Sequence, residues 1–280
     1  MEKSIVTNQI LEVSELAKSI KMMVIYAPEV ASFAKPGQFV IVIGEESGER
    51  IPLTIADFDK QKETITLVFQ EVGKSTIELG SKKKGDRMAH LNGPLGHASE
   101  IKNFGNVVMI GGGVGIAPIY PITRAMNQAG NHVISIIGSR TADGLFWSDK
   151  MKALSHDFYI TTNDGSLGIE GFVTNPFLAL IEKMKIDRVV AIGPIPMMKS
   201  VAKVTKAQDL PCIVSLNSLM VCGMGMCGAC RCKVNEQSQF TCFQGPEFDG
   251  NTVDYDELSS RLSMYNKEEK LALDTFKEAK

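Results

Sequence analysis

Apolar and polar positions alternate in short runs over the first third of the chain. Residues 39–43 and 64–69 are rich in β-branched and aromatic side chains, are of strand length, and are set off by turn signals such as Lys35, Pro36 and Gly37. This pattern predicts a small all-β domain over residues 4–90, closed as a barrel. The period then changes. Residues 107–110, 132–137, 158–162 and 189–192 are apolar runs, and helix-length segments at 119–128, 145–154, 175–184 and 196–207 lie between or after them. Alternating β and α units of this kind predict a parallel sheet covered on both faces by helices. A further strand over 212–216 leads into a cysteine-rich stretch, and the charged segment 254–280 predicts one or two terminal helices.

Length and composition narrow the class. A chain of 280 residues accommodates about two domains and a small accessory module. With 44% hydrophobic residues, 25 Gly and 11 Pro, it is neither collagen-like nor of low complexity. Lys and Arg number 30 against 32 Asp and Glu, so no global positive field is available to hold a nucleic-acid backbone. The longest uncharged stretch, 103–123, contains five Gly and two Pro and reads as strand, loop and helix rather than a membrane span. Residues 1–16 carry Glu2, Lys3, Glu12 and Glu15 and lack the apolar core of a secretory signal, which predicts a cytoplasmic protein.

Four of the six cysteines crowd into residues 222–232. Cys222, Cys227, Cys230 and Cys242 read C-x4-C-x2-C-x11-C, the plant-type spacing for a 2Fe-2S cluster. Gly223, Gly225 and Gly228 suit a loop wrapped tightly around such a cluster, where backbone N–H groups approach sulfur. Two alternatives stand beside this reading: a structural zinc site, whose ligands more often come as two short knuckles, and scattered buried thiols. Cys232, two residues past Cys230, is either a spare ligand or a small buried side chain; Cys212 reads as core.

A second candidate is the run of glycines that follows the 107–110 strand. Gly111, Gly112, Gly113 and Gly115, with Ala117 and Pro118, sit between a predicted strand and a predicted helix, where free N–H groups and the helix dipole favour a pyrophosphate. The alternative is a tight turn whose glycines serve packing alone. The spacing is not that of a dinucleotide G-x-G-x-x-G, and a Walker motif ending at Thr76 is incomplete because position 68 is Val. Lys82, Lys83, Lys84 and Arg87 form a basic run that is either a docking patch or hydrated surface.

With these residues in view the chain resembles the ferredoxin-NADP reductase superfamily, in the branch that ends in a 2Fe-2S domain. That branch includes electron-transfer subunits of dihydroorotate dehydrogenase and the small subunit of NADH-dependent ferredoxin:NADP oxidoreductase. The resemblance covers nearly the whole chain. It implies an N-terminal antiparallel flavin-binding β-barrel over 1–100, a parallel-sheet α/β nucleotide-binding domain over 101–217, and a small cluster-binding segment with C-terminal helices over 218–280. Arg50, Pro52, Leu53 and Thr54 look like the flavin-binding strand motif, although Arg50 stands four residues before Thr54 where the superfamily usually has three. Val68, Phe69, Gln70, Gly73, Ser75 and Thr76 look like the segment under the FAD pyrophosphate, and Gly112, Gly113, Gly115, Ala117 and Pro118 like the nicotinamide-side loop. Gly193 and Pro194 look like the family's Gly-Pro at the end of a late strand. Ser139 and Arg140 are placed for the adenosine ribose or a 2′-phosphate, and Asp164 for the nicotinamide or a turn. Relatives of the small subunit can carry Asp where this chain has Cys222.

The resemblance therefore implies FAD, a 2Fe-2S cluster and NAD(H) or NADP(H), with NAD(H) preferred. It implies a subunit of an NAD(P)H-dependent flavoprotein oxidoreductase whose only catalytic groups are its cofactors. A larger flavoprotein or iron-sulfur subunit would receive the electrons in a heterodimer or higher complex, with ferredoxin as an indirect partner. The rivals are a dihydroorotate dehydrogenase electron-transfer subunit, a non-catalytic redox sensor and a zinc-stabilised scaffold.

Overall fold

The computed structural model describes residues 5–278. Glu2 and Lys3, used above against a leader sequence, and the last two residues of the predicted terminal helix lie outside the described residues.

Six strands make the first sheet: β1 (Ile10–Ala17), β2 (Ile20–Tyr26), β3 (Phe39–Ile43), β4 (Ile51–Asp59), β5 (Thr64–Gln70) and β6 (His90–Leu95), in the order β1-β2-β5-β4-β3-β6. Two short helices interrupt them, α1 (Pro28–Phe33) and α2 (Lys74–Gly80), so the domain expected to be all β is not entirely so. Bonds from Ile10 N to Asp86 O, Gly85 N to Ile10 O and Met88 N to Asn8 O tie the entrance of β1 to the segment leading into β6. The two ends of the sheet thus meet, giving a barrel-like body. Period-two alternation fills its interior: Met23 and Ile25 of β2, Val40 and Val42 of β3, and Ile65, Leu67 and Phe69 of β5 are buried together.

The outer side of the barrel carries apolar residues as well, one each on β2, β4 and β5, and these join the two halves of the molecule. Ile20, Ala56 and Val68 turn out of the barrel into a second core shared with Ile116, Ile119, Ile122 and Phe146. Each such buried Ile or Val contributes roughly 1.5–3 kcal/mol relative to exposure, so the barrel and the second sheet are held by one continuous apolar body.

The second sheet is built from β7 (Asn106–Gly112), α3 (Ile116–Gln128), β8 (His132–Ser139), α4 (Ser148–Ala153), β9 (Asp157–Thr162), β10 (Ile169–Glu170), α5 (Thr174–Lys183), β11 (Arg188–Ile192), α6 (Ile195–Ala207) and β12 (Cys212–Ser215). The helix expected over 145–154 is shorter than expected. A 3-10 turn at Ala142–Gly144 precedes it, and Trp147 enters it at φ 53, which keeps its own residue and those before it out of the helix. The strand order is β10-β9-β8-β7-β11-β12, all parallel, with a later strand, Glu247–Asp249, added antiparallel beside β12.

The cysteine-rich segment contributes the hairpin β13 (Arg231–Val234) and β14 (Gln237–Phe240), the single helical turn α7 (Thr241–Gln244), and β15 (Glu247–Asp249), which runs antiparallel to β12 at the sheet edge. Two helices follow, α8 (Tyr255–Leu262) on β13 and α9 (Asn266–Glu278) on α2. Among the described residues no helix is long and apolar enough to cross a membrane.

The loop between barrel and sheet is stapled by this same segment: His97 N donates to Gly245 O at 2.7 Å, and Ser99 Oγ to Glu247 Oε1 at 2.5 Å. The Glu247 carboxyl faces Gly37 and Ser99, and burial raises its pKa against the bond from Ser99 and the charge of Arg188. A raised carboxyl favours the folded state most below its unfolded pKa, and that contribution drains away as pH climbs toward the folded value. Glu247→Gln, which mimics the protonated acid, is therefore expected to gain on the natural protein as pH rises above about 4.3, by at most about 1.4 kcal/mol per pH unit. Urea midpoints at pH 5 and pH 8 measure this; a gap that does not widen at pH 8 refutes it.

Candidate functional site

Residues 217–230 run without regular structure from β12 to β13, and the three glycines let them turn back on themselves: Gly223, Gly225 and Gly228 take left-handed φ values of 75, 83 and 67. Gly223 also has no room for a side chain, since a Cβ there would lie 2.7 Å from Ile41 Cγ1. The turns aim backbone N–H groups at sulfur. Met224 N and Cys227 N each donate to Cys222 Sγ at 3.5 Å, and Gly225 N donates to Cys242 Sγ at 3.1 Å.

The four candidate ligands fall into two pairs. Cys230 and Cys242 have their sulfurs 3.2 Å apart, while Cys222 is hydrogen-bonded by both the backbone and the side chain of Cys227. Two pairs of thiolates suit two irons taking two each, whereas a single zinc ion draws all four donors to one point. The electrostatics prepare one sulfur in advance. Burial would raise the Cys222 thiol, but the N–H groups of Met224, Cys227 and Met226 overcome it and bring its pKa down to about 6. Cys242 is pushed up to about 12, by burial first and then by the neighbouring Cys230. All six cysteines are free thiols, as a metal-binding set requires.

The seat of this loop is the outer face of the barrel. Cys230 and Cys242 are buried with Phe39, Ile41 and Met220, and Leu95 and Phe240 pack against them. Phe39 and Ile41 pair across the ladder with Thr54 and Pro52, so the cysteines lie against the strand next to the candidate flavin strand. Cys232 has a different environment. It is buried with Val234, Tyr255 and Leu258 beneath α8, and its sulfur accepts from Thr241 Oγ1 at 3.4 Å. β13 begins only at Arg231, so the period-two argument does not bring Cys230 and Cys232 to one face. Cys212 is core, its thiol raised to about 11 by burial. Around the loop Val221, Met224, Met226 and Phe243 are all at least half exposed, an apolar collar that sequence reasoning missed. Four apolar residues within and just after a cysteine run are the signal that was available.

The two flavin-motif segments come together at the mouth of the barrel. Arg50 is exposed at the start of β4, Pro52, Leu53 and Thr54 lie within it, and neighbouring Glu49 accepts a bond from Ser75 Oγ. Val68, Phe69 and Gln70 end β5, and Thr76 Oγ1 accepts from Val72 N and Gly73 N to shape the turn into α2. Gly73 faces open space, with nothing within 4 Å of a Cβ there. An exposed guanidinium and the open approach over Gly73 are what a dinucleotide flavin's phosphates need, so these residues fit FAD. Two of the four residues of the basic run are occupied elsewhere: Lys82 bonds Glu45 and the Arg87 carbonyl, and Arg87 bonds the Thr7 carbonyl.

The glycine loop stands at the carboxyl end of β7, where the strand order reverses between β8 on one side and β11 on the other. Ligands of open α/β sheets bind in this crevice. Gly112 and Gly115 are there for packing, because a Cβ on Gly112 would lie 2.3 Å from Met197 Sδ and one on Gly115 2.2 Å from the Ile192 carbonyl. Gly113, at φ 54, faces open space. Gly193 and Pro194 close the other side, and Ala117 and Pro118 begin α3. The end of β5 contacts the Gly113–Gly115 turn, which joins the flavin segment to this crevice. Ser139 ends β8 and Arg140 follows it, at the same end of the sheet. Asp164 lies next to them, its N–H donating to the Arg140 carbonyl at 3.3 Å and its carboxyl held low by bonds from Ser166.

Comparison with known proteins bears on the same regions. The family described as oxidoreductase NAD-binding domain matches residues 109–203, and the iron-sulfur cluster binding domain of dihydroorotate dehydrogenase B matches residues 217–254. A Thermotoga maritima protein named dihydroorotate dehydrogenase B (NAD(+)), electron transfer subunit homolog is 44% identical over 96% of this chain and 95% of its own. The electron transfer subunit of dihydroorotate dehydrogenase B from Fusobacterium nucleatum is 30% identical over 86% of this chain and 95% of its own. A chain of the NADH-dependent reduced ferredoxin-NADP oxidoreductase structure, described for flavin-based electron bifurcation, superposes with a TM-score of 0.93 at 43% identity over 99% of each chain. Phthalate dioxygenase reductase shares the fold alone, with a TM-score of 0.58 at 15% identity over 82% of this chain and 86% of its own.

Proposed function

Because the chain belongs to the family of dihydroorotate dehydrogenase B electron-transfer subunits and their homologues, within the ferredoxin-NADP reductase superfamily, we propose that it is the NAD(H)-linked, FAD- and 2Fe-2S-carrying subunit of an oxidoreductase, delivering electrons to a larger flavoprotein subunit. The observation that carries this reading is the seat of the cysteine loop on β3, hydrogen-bonded neighbour of the β4 strand that bears Pro52 and Thr54. The chemistry the two groups supply when bound is conversion between the paired electrons of a hydride and the single electrons of an iron-sulfur carrier.

The chain's own part is binding and orientation. Gly112, Gly113, Gly115, Ala117 and Pro118, with Gly193 and Pro194 opposite, line the crevice where the NAD(H) pyrophosphate and nicotinamide lie. Ser139 and Arg140 take the adenosine end, and Asp164, beside Arg140, belongs with them rather than with the nicotinamide. Arg50, Pro52, Leu53 and Thr54 hold the flavin along β4. Val68, Phe69, Gln70, Gly73, Ser75 and Thr76 shape its phosphate side. Cys222, Cys227, Cys230 and Cys242 hold the irons. The exposed Val221, Met224, Met226 and Phe243 offer the larger subunit an apolar surface directly around those sulfurs. Free thiols throughout favour the reducing cytoplasm as the place of work.

The match over 99% of each chain to the ferredoxin-NADP oxidoreductase chain makes an NADP-binding flavoprotein the partner proposed here, and the Thermotoga homolog at 44% identity makes a dihydroorotate-oxidising subunit the second reading. Protein isolated without oxygen is expected to carry FAD and about two irons and two sulfides per chain, to bleach on addition of NADH, and to co-purify with that partner. Steady NADH oxidation with an artificial acceptor excludes a passive sensor. Flavin absorbance unchanged by NADH refutes the proposal, and co-purification with a dihydroorotate-oxidising subunit replaces the partner.

A further inference from the structure

Outside the four ligands, one cation reaches into the cysteine loop. Arg261, in the last turn of α8, donates from Nη2 to the carbonyl of Ala229 at 3.2 Å, and Ala229 immediately precedes Cys230. Among the described residues no other Lys or Arg side chain donates to residues 217–230. The Arg261 side chain is 23% exposed, so solvent screens its charge incompletely. One helical turn earlier, Glu257 brings Oε1 to 3.7 Å from Arg261 Nε, while its Oε2 is buried without a hydrogen-bond partner. An anion and a cation are thus held at the edge of the loop.

Neither charge is free to drift. α8 is capped by Asp254, which accepts from Glu257 N at 2.9 Å, and Tyr255 and Leu258 bury the helix against Cys232 and Val234. The other charges near the loop are differently disposed. Arg231 projects from the exposed face of β13, and Lys233 is paired with Asp254 at 3.8 Å.

Gain of one electron by an iron-sulfur cluster makes no bond and moves no proton; it adds one negative charge. A fixed cation beside the ligand loop favours that added charge, and a fixed anion opposes it. We propose that Arg261 and Glu257 form a charge pair that sets the midpoint potential of the cluster, Arg261 raising it and Glu257 lowering it. The proposal rests on the reading of the four cysteines as cluster ligands. In that reading Arg261 is a positioning residue: it touches the loop rather than the irons.

The test is redox titration of the complete protein, prepared without oxygen, followed by the paramagnetic signal of the reduced cluster, with iron and sulfide assayed in parallel. Arg261→Gln is expected to disfavour reduction about tenfold, a shift of about 59 mV to lower potential for one electron. Glu257→Gln is expected to shift the potential upward, and Arg261→Lys, which restores the charge, to recover most of the loss. Opposite signs from two adjacent residues are not produced by a general loosening of the loop. If Arg261→Gln loses iron, Glu257→Gln carries the test, since it leaves the bond to Ala229 in place. Potentials that do not move, or that move the same way in both Gln variants, overturn the proposal. A natural protein lacking iron and sulfide overturns the cluster reading and this proposal with it.

Discussion

Cys242→Ser is expected to retain FAD and its bleaching by NADH while delivering electrons to the partner subunit at least about a hundredfold more slowly, because the relay loses its metal. The Cys242 sulfur is buried, lies 3.2 Å from that of Cys230, and accepts the Gly225 N–H. Serine keeps the size and loses the soft donor on which two irons depend. Cys232→Ser is the control. Its sulfur lies in a separate core under α8, so iron content should stay at the natural level and only thermal stability should fall, by about 1 kcal/mol. Iron, sulfide and stopped-flow flavin reduction separate the two variants. Iron retained in full by Cys242→Ser, or lost from Cys232→Ser, would falsify the ligand assignment.

Gly115→Ala should weaken NADH binding about thirtyfold, equivalent to about 2 kcal/mol, and leave FAD and iron in place. The new Cβ would lie 2.2 Å from the Ile192 carbonyl and 2.8 Å from Gly193 Cα. Both obstacles are backbone, so the Gly113–Gly115 turn and the end of β11 must part, and they are the two walls of the proposed nucleotide crevice. Gly113→Ala meets open space and carries only the strain of a left-handed residue, about 1–2 kcal/mol in the loop itself. It should cost less in affinity. The dependence of flavin bleaching on NADH concentration reads both variants, and equal affinities in Gly115→Ala and the natural protein would remove the crevice from the binding site.

The order of barrel, parallel sheet and cysteine-rich segment is legible in the sequence because each rests on a local period. Alternation at 64–69 and continuous apolar runs at 107–110 and 132–137 become β5, β7 and β8 within a residue or two. The candidate ligands were legible for the same reason, since the spacing of Cys222, Cys227 and Cys230 is a property of neighbours along the chain. What is set by contacts distant in sequence was not. The short α4 follows from Trp147 at φ 53, whose ring packs at a tilt against Tyr120 of α3 with centroids 5.2 Å apart, a contact no local pattern encodes. β15 is a three-residue strand that exists because β12 offers it an edge, and three residues hold too little periodicity to announce themselves. The pairing of Cys230 with Cys242 depends on α7 folding back across the β13–β14 hairpin, and the place of the loop depends on the outer face of β3 being apolar at Phe39 and Ile41. The bond from Arg261 to Ala229 spans 32 residues and forms only after α8 has docked. Propensities that act over a few residues set which elements form and which atoms are available for chemistry. Which of those atoms meet is settled by burial and hydrogen bonding between segments far apart in the chain.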